Sequence, residues 1–307
     1  MTRDCDPPGT GGLSCHASGR TDLPARPPAG LSVGRRSPPP LAVKLPDRPT
    51  VPAPWRGATY VLRRLLTAGD DNPKLRKSNA AGTPYRSWGL ALAPARESGY
   101  SVCPESTPGC RAACLYRQGH ARLAPAIQVC RLARTAAWKA HPDWFAAQLI
   151  HELSGLVRRA AAGDYRVAVR LNLTSDVAWE RELPGVFDRF AEVQFYDYTK
   201  RFGRAVRHAR GQLPPNYHLT FSRSETNEGR ARAVLAAGGS VAVVFRAQPF
   251  PARYLGRPVV DGEVTDLRFL GPPGVVVALA AKGTARADAT GFVVDAGRPG
   301  RSLPVLG

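Results

Sequence analysis

No apolar run in this chain is long enough to cross a bilayer: the longest, around Val275 to Ala281, falls far short of the ~20 residues a spanning helix needs. The first residues have no apolar signal core, only scattered Arg and Pro, so the expectation is a cytoplasmic protein with no membrane association. Acidic residues are also scarce, 24 against 43 Lys and Arg, which leaves a formal net charge of +19. Such an excess attracts phosphate, because clustered cations release counterions on binding it, and nucleic acid is the partner it implies. No block of like charge and no basic helix face marks a binding surface, so the alternative is a composition that drifts basic throughout. Nothing in the sequence sets an oligomeric state. The chain has no P-loop, no G-x-G-x-x-G, no H-E-x-x-H and no G-x-S-x-G, which argues against nucleoside-triphosphate hydrolysis, a Rossmann cofactor and the common hydrolases.

Regularly spaced apolar residues are missing from residues 1–60, which are dense in Pro, Gly, Ser and Arg. Ordering such a stretch would lose more entropy than burial returns, and it reads as a disordered tail. The remainder, 61–307, reads as one α/β domain, and an apolar content of 43% supplies its core.

In that domain β-rich apolar runs alternate with helical patterns. Six candidate strands run approximately Ser87 to Ala93, Tyr165 to Leu173, Glu192 to Tyr196, Asn216 to Phe221, Ser240 to Phe245 and Gly274 to Ala280. Two helices separate the first pair, the second opening at His141-Pro142-Asp143 with an apolar stripe of Phe145, Leu149, Leu153, Leu156 and Val157 and a stop at Gly163. Shorter helices fit Leu183 to Phe190, Arg201 to Ala209 and Asn227 to Ala237. The fold class is therefore α/β, a partial or complete (β/α) barrel of about six strands, with an open doubly wound sheet as the alternative. Either architecture places chemistry at the carboxyl ends of the strands.

Three of the six cysteines, Cys103, Cys110 and Cys114, fall within twelve residues, with Pro and Gly between the first two. In a reducing compartment such a group reads as metal ligands rather than disulfides. Three thiolates leave one position open on a metal or cluster, as a reactive centre requires; a closed structural zinc site would need a fourth ligand, for which His120 and Cys130 are the candidates. The opposing reading is that the thiols are small buried hydrophobes. Cys5 and Cys15 lie in the expected tail and are incidental.

Polar residues gather at three further strand ends. Asn172, Ser175 and Asp176 can bind a cofactor's amine or hydroxyl groups, or Ser175 and Asp176 can simply cap the next helical turn. Lys200, after Tyr196-Asp197-Tyr198-Thr199, offers a cation to an anionic ligand, or a solvated helix start. Ser222 and Ser224, flanking Arg223, suit a carboxylate or phosphate. Asp261 and Glu263 read as a turn carrying surface charge.

The order of these motifs resembles a known family. Asn72-Pro-Lys74-Leu is followed by Cys-Pro…Cys…Cys-Leu-Tyr, Thr174-Ser175-Asp176, Tyr198-Thr199-Lys200, Ser222-Arg-Ser224, Asp266-Leu-Arg268, Ala281-Lys282-Gly283 and Gly291-Phe292. Roughly from Leu65 to Val294 the chain resembles the phage gene product 88 family, found on bacteriophages and other mobile elements. The resemblance implies a context and no activity. In that family the second motif reads closer to Ser-Gly-Asp and tyrosine directly follows the third cysteine; here Ser175 and Leu115 intervene. The layout is also similar, more loosely, to radical S-adenosylmethionine enzymes. That similarity implies a [4Fe-4S] cluster on Cys103, Cys110 and Cys114, S-adenosylmethionine on the open iron, and Asp176 facing its amine. Those enzymes space their cysteines C-x3-C-x2-C, whereas this chain has C-x6-C-x3-C. The reading that follows is a cluster-dependent enzyme acting on nucleic acid or a nucleotide; its rival is a noncatalytic nucleic-acid-binding protein with a structural zinc.

Overall fold

The computed structural model describes residues 50–52, 59–79, 82–114, 116 and 125–295. Most of the expected tail lies outside these. Thr50–Pro52 (β1), inside the stretch read as tail, pairs antiparallel with Thr59–Val61 (β2).

All six expected strands form, as Tyr85–Leu90 (β4), Arg166–Arg170 (β5), Gln194–Thr199 (β6), Tyr217–Ser222 (β7), Val241–Phe245 (β8) and Val276–Ala280 (β11). They lie side by side in sequence order, each parallel to the next. Four strands escape the sequence reading: Leu66–Ala68 (β3), Arg253–Tyr254 (β9) and Val293–Val294 (β12), too brief to show a period, and the five-residue Arg257–Asp261 (β10). They complete a sheet of ten strands.

The sheet is open, which corrects the expectation of a complete six-stranded barrel. The strands that would have to meet for closure, β4 and β11, already have outer neighbours: β3 lies antiparallel along β4, and β10 with β9 continues beyond β11. A doubly wound sheet is equally absent, because the order from β4 to β11 never reverses at a switch point.

The longer helices cover one face. Pro125–Ala140 (α3) and Pro142–Gly163 (α4) follow the short Pro73–Asn79 (α1) and Pro108–Ala112 (α2). In α4 the foreseen stripe is buried except for half-buried Val157, with Phe145, Leu149 and Leu153 fully so, against Trp179, Val169 and Phe195. Burying these side chains contributes about 2 kcal/mol each. The helix runs through Gly163 and ends at Asp164, which takes the left-handed conformation (φ 50°). Trp179–Glu182 (α5), Pro184–Arg189 (α6), Phe202–Ala209 (α7) and Glu228–Ala236 (α8) follow β5, β6 and β7.

Strand side chains alternate between faces. The face turned from the helices is filled by residues 262–271: Leu267 and Phe269 pack on Tyr85, Ala168 and Tyr196, while buried Asp266 accepts from Arg170 at 2.6 Å and from the Tyr198 hydroxyl at 2.9 Å. Glu263 does carry surface charge, bridging to Lys282 at 2.5 Å.

Toward the amino end of β7, the rings of His208 and His218 meet edge to face at 4.8 Å. Burial pushes them down to about 4 and about 3, and Arg268 adds repulsion at His218. Unfolded, both ionise near 6.5, so below that pH the unfolded chain binds two protons the folded one does not. Asp197 opposes this: burial raises it from 3.8 to about 7, so the folded state takes up one proton where the unfolded carboxylate is bare. Between pH ~4.5 and ~6 the balance is about one proton toward the unfolded state, and stability falls by about 1.4 kcal/mol per unit of acidification. Urea unfolding across this range measures it. Replacing both histidines by Gln leaves Asp197 dominant above pH ~5, where the slope reverses sign.

Candidate functional site

The cysteine loop leaves β4 and crosses the carboxyl ends of the neighbouring strands. Its course is fixed by backbone and side-chain bonds. The Asp176 amide donates to the Val102 carbonyl at 2.8 Å, the Ala95 amide donates to Cys103 Sγ at 3.4 Å, and that thiol donates to the Thr174 carbonyl at 3.7 Å. Thr107 caps α2 by accepting from the Cys110 amide, and donates its hydroxyl to Glu225 Oε2 at 2.8 Å. Glu225 also accepts from the Gly109 amide at 2.7 Å, so one carboxylate after β7 fastens the loop.

A second clamp comes from the far end of the chain. The β7–β8 ladder involves only Phe221–Ser222 and Val241–Ala242, and beyond it β12 takes the edge of β8 at Val244–Phe245. That insertion sets Phe292 against Cys110 and Ala113. Gly109 lies where these parts converge: a Cβ there would stand 2.2 Å from Thr290 Oγ1, 2.7 Å from Phe292 Cβ and 2.9 Å from Glu225 Oε1. Gly109→Ala therefore displaces the loop, with an expected loss of about 2 kcal/mol and faster proteolysis between Cys103 and Cys114; urea unfolding and limited proteolysis measure both.

Cys103, Cys110 and Cys114 lie within electrostatic range of one another. Burial raises Cys103 to about 12 and Cys114 above its ordinary value, so both are thiols at neutral pH and a metal would have to displace their protons. Among the described residues no three Cys, His, Asp or Glu side chains converge closely enough to hold a metal ion. The thiols are neighbours and do not form a finished cage. Cys130 is half-buried on α3; His120, Cys5 and Cys15 lie outside the described residues.

Asn172, Ser175 and Asp176 are brought together after β5, in a dense internal network. Asn172 Oδ1 accepts from the Ser175 hydroxyl (2.7 Å), the Val177 amide (2.9 Å) and Trp179 Nε1 (3.1 Å), while its Nδ2 donates to Val177 and Asp197. Asp176 accepts from the Thr199 hydroxyl at 2.7 Å, the Lys200 amide at 2.8 Å and Arg204 Nη1 at 3.1 Å. Arg204 also grips Glu180 with two nitrogens, at 2.9 and 2.8 Å, and donates to the Tyr217 hydroxyl, which in turn donates to Asp197. These contacts hold β5, β6 and β7 in register beneath the loop.

Lys200 and Ser222 meet directly, Nζ to Oγ at 2.8 Å, and the ammonium lies 5.6 Å from the centre of the Phe292 ring. Ser224 is buried, and its Oγ has no hydrogen-bond partner among the described residues. Sequence reading missed Arg204 and Arg131. For Arg131 a signal existed: it stands four residues before Thr135 and seven before Trp138, in register with the buried face of α3.

No curated protein matches the chain, and no solved structure does. A family model described as gene product 88 matches residues 63–296, the stretch that holds the six parallel strands, the cysteine loop and the β12 clamp. The chain belongs to the gene product 88 family.

Proposed function

We propose that this protein is an enzyme that ligates an iron–sulfur cluster through Cys103, Cys110 and Cys114, uses S-adenosylmethionine as its second cofactor, and acts on nucleic acid or a nucleotide. One observation carries the reading: the loop with three thiols leaves the first of six sequentially ordered parallel strands and lies over their carboxyl ends. In this reading the open sheet is a partial (β/α) barrel. When bound, such a cluster supplies single electrons. The chain's own residues do the rest. Glu225 and β12 hold the loop, Lys200 and Ser222 orient an anionic group, and the Asp176–Arg204 network keeps the strand ends fixed. The charge of +19 favours a phosphate-bearing substrate. Because the three thiols form no finished cage and Cys103 and Cys114 are protonated, loading has to draw the loop together and release protons.

The test is anaerobic reconstitution with iron and sulfide, followed by metal analysis and electron-resonance spectra with and without S-adenosylmethionine. About four irons per chain, with a reduced-cluster signal that shifts on adding the cofactor, are expected; serine at Cys103, Cys110 and Cys114 abolishes both. One tightly held zinc and no iron sinks the reading. That outcome favours a structural-zinc nucleic-acid-binding protein, with the adjacent helix α3 supplying Cys130 as fourth ligand. Cys130→Ser then loses metal and fold together, whereas in the enzyme it leaves the cluster intact.

A further inference from the structure

Among the described residues the other two buried cations are matched by carboxylates, Arg170 by Asp266 and Arg204 by Asp176 and Glu180, as are half-buried Arg223 by Glu228 and Arg246 by Asp295. Two cations beside Cys114 are not. Arg131 is 9% exposed, and its Nε and Nη1 have no hydrogen-bond partner among the described residues. Its guanidinium carbon stands 5.2 Å over the Tyr116 ring, and its charged neighbours include another cation, Arg134, and no carboxylate among the described residues. Lys200 donates to Ser222 and lies against Phe292, which packs on Cys110 and Ala113; it too has no carboxylate partner among the described residues. Both cations lie within electrostatic range of Cys114.

A guanidinium buried without a partner opposes folding, since it gives up hydration and gains no counter-charge. Two such cations beside one thiol, from a helix and a strand end that are distant in sequence, make sense where an anion arrives after folding. We propose that Arg131 and Lys200 form a subsite beside Cys114 for the anionic group, carboxylate or phosphate, of a small-molecule ligand. Arg131 supplies the planar donor fork, Ser222 holds the ammonium, and Tyr116 and Phe292 flank the two cations. The subsite stands whatever the thiols ligate, so it is tested on the chain freed of metal.

The experiment compares alkylation of each thiol by iodoacetate, an anion, and by iodoacetamide, its neutral analogue, in the full-length, reduced, chelator-treated protein, read by peptide mass spectrometry. The same thiolate attacks both reagents and displaces iodide from each, so their rate ratio cancels its ionisation and reports the local charge. At Cys114 the ratio is expected to exceed those at Cys103 and Cys110 by about tenfold. It falls to their level in Arg131→Gln and in Lys200→Gln, and inorganic phosphate or acetate depresses it, the more effective anion naming the ligand group. Phosphate or acetate also raises the Tm of the wild type and of neither variant, while Arg131→Gln alone leaves the Tm unchanged or higher. Equal ratios at the three thiols, a ratio that survives both substitutions, indifference to both anions, or unfolding of Arg131→Gln overturns the proposal.

Discussion

Arg204→Ala is expected to lower stability by about 3–5 kcal/mol, enough to drop the Tm by roughly 10 °C in a domain of this size. The side chain is nearly inaccessible and serves two carboxylates at once, Glu180 through two bonds and Asp176 through one, while also donating to the Tyr217 hydroxyl. Truncation leaves both carboxylates facing each other with their counter-charge gone, and the penalty of two uncompensated charges exceeds the value of the bonds lost. Arg204→Lys rescues little, because one ammonium cannot span Asp176, Glu180 and Tyr217. Differential scanning calorimetry measures the shift. A loss under 1 kcal/mol in the alanine variant would show that water enters the network and that its rigidity under the cysteine loop is overstated.

Asp266→Ala is the second large effect, again about 3–5 kcal/mol by urea unfolding. Asp266 joins the segment 262–271 to β5 and β6 through Arg170 and Tyr198, and its own amide donates to the Ser78 hydroxyl at 3.0 Å. Without it Arg170 keeps only a 4.0 Å approach to Asp197, inside a site closed to water. Replacing both partners, Arg170→Met with Asp266→Leu, is expected to recover part of the loss, since an apolar pair leaves no charge stranded there. If the double variant is as unstable as the two single losses added together, the salt bridge is not what secures this segment.

Several elements were legible because their determinants are local. The stripe of Phe145, Leu149, Leu153 and Leu156 and the proline at the start of α4 specify a helix and its buried face without reference to anything distant. Long β-rich runs gave the six parallel strands for the same reason. The Pro- and Gly-rich spacing of Cys103, Cys110 and Cys114 marked the loop, and the order of short motifs indicated the family. Strands of two or three residues such as β3, β9 and β12 carry no period, so nothing local announces them, and they are the ones that leave the sheet open and place Phe292 on the loop.

The site divides along the same line. Sequence determined which polar residues stand at strand ends: Asn172, Ser175 and Asp176, then Lys200, then Ser222 and Ser224. Only the tertiary structure decided their employment, because a side chain's free valence depends on what distant segments bring to it. Arg204, from α7, engages Asp176, and Asn172 is saturated by Trp179, Val177 and Asp197, whereas Lys200 meets Ser222 and, among the described residues, no carboxylate. The spacing of Arg131 from Thr135 and Trp138 signals its buried face, but only the packing of α3 decided that no carboxylate among the described residues meets it. Periodicity and motif are properties of neighbours along the chain; charge compensation is a property of neighbours in space.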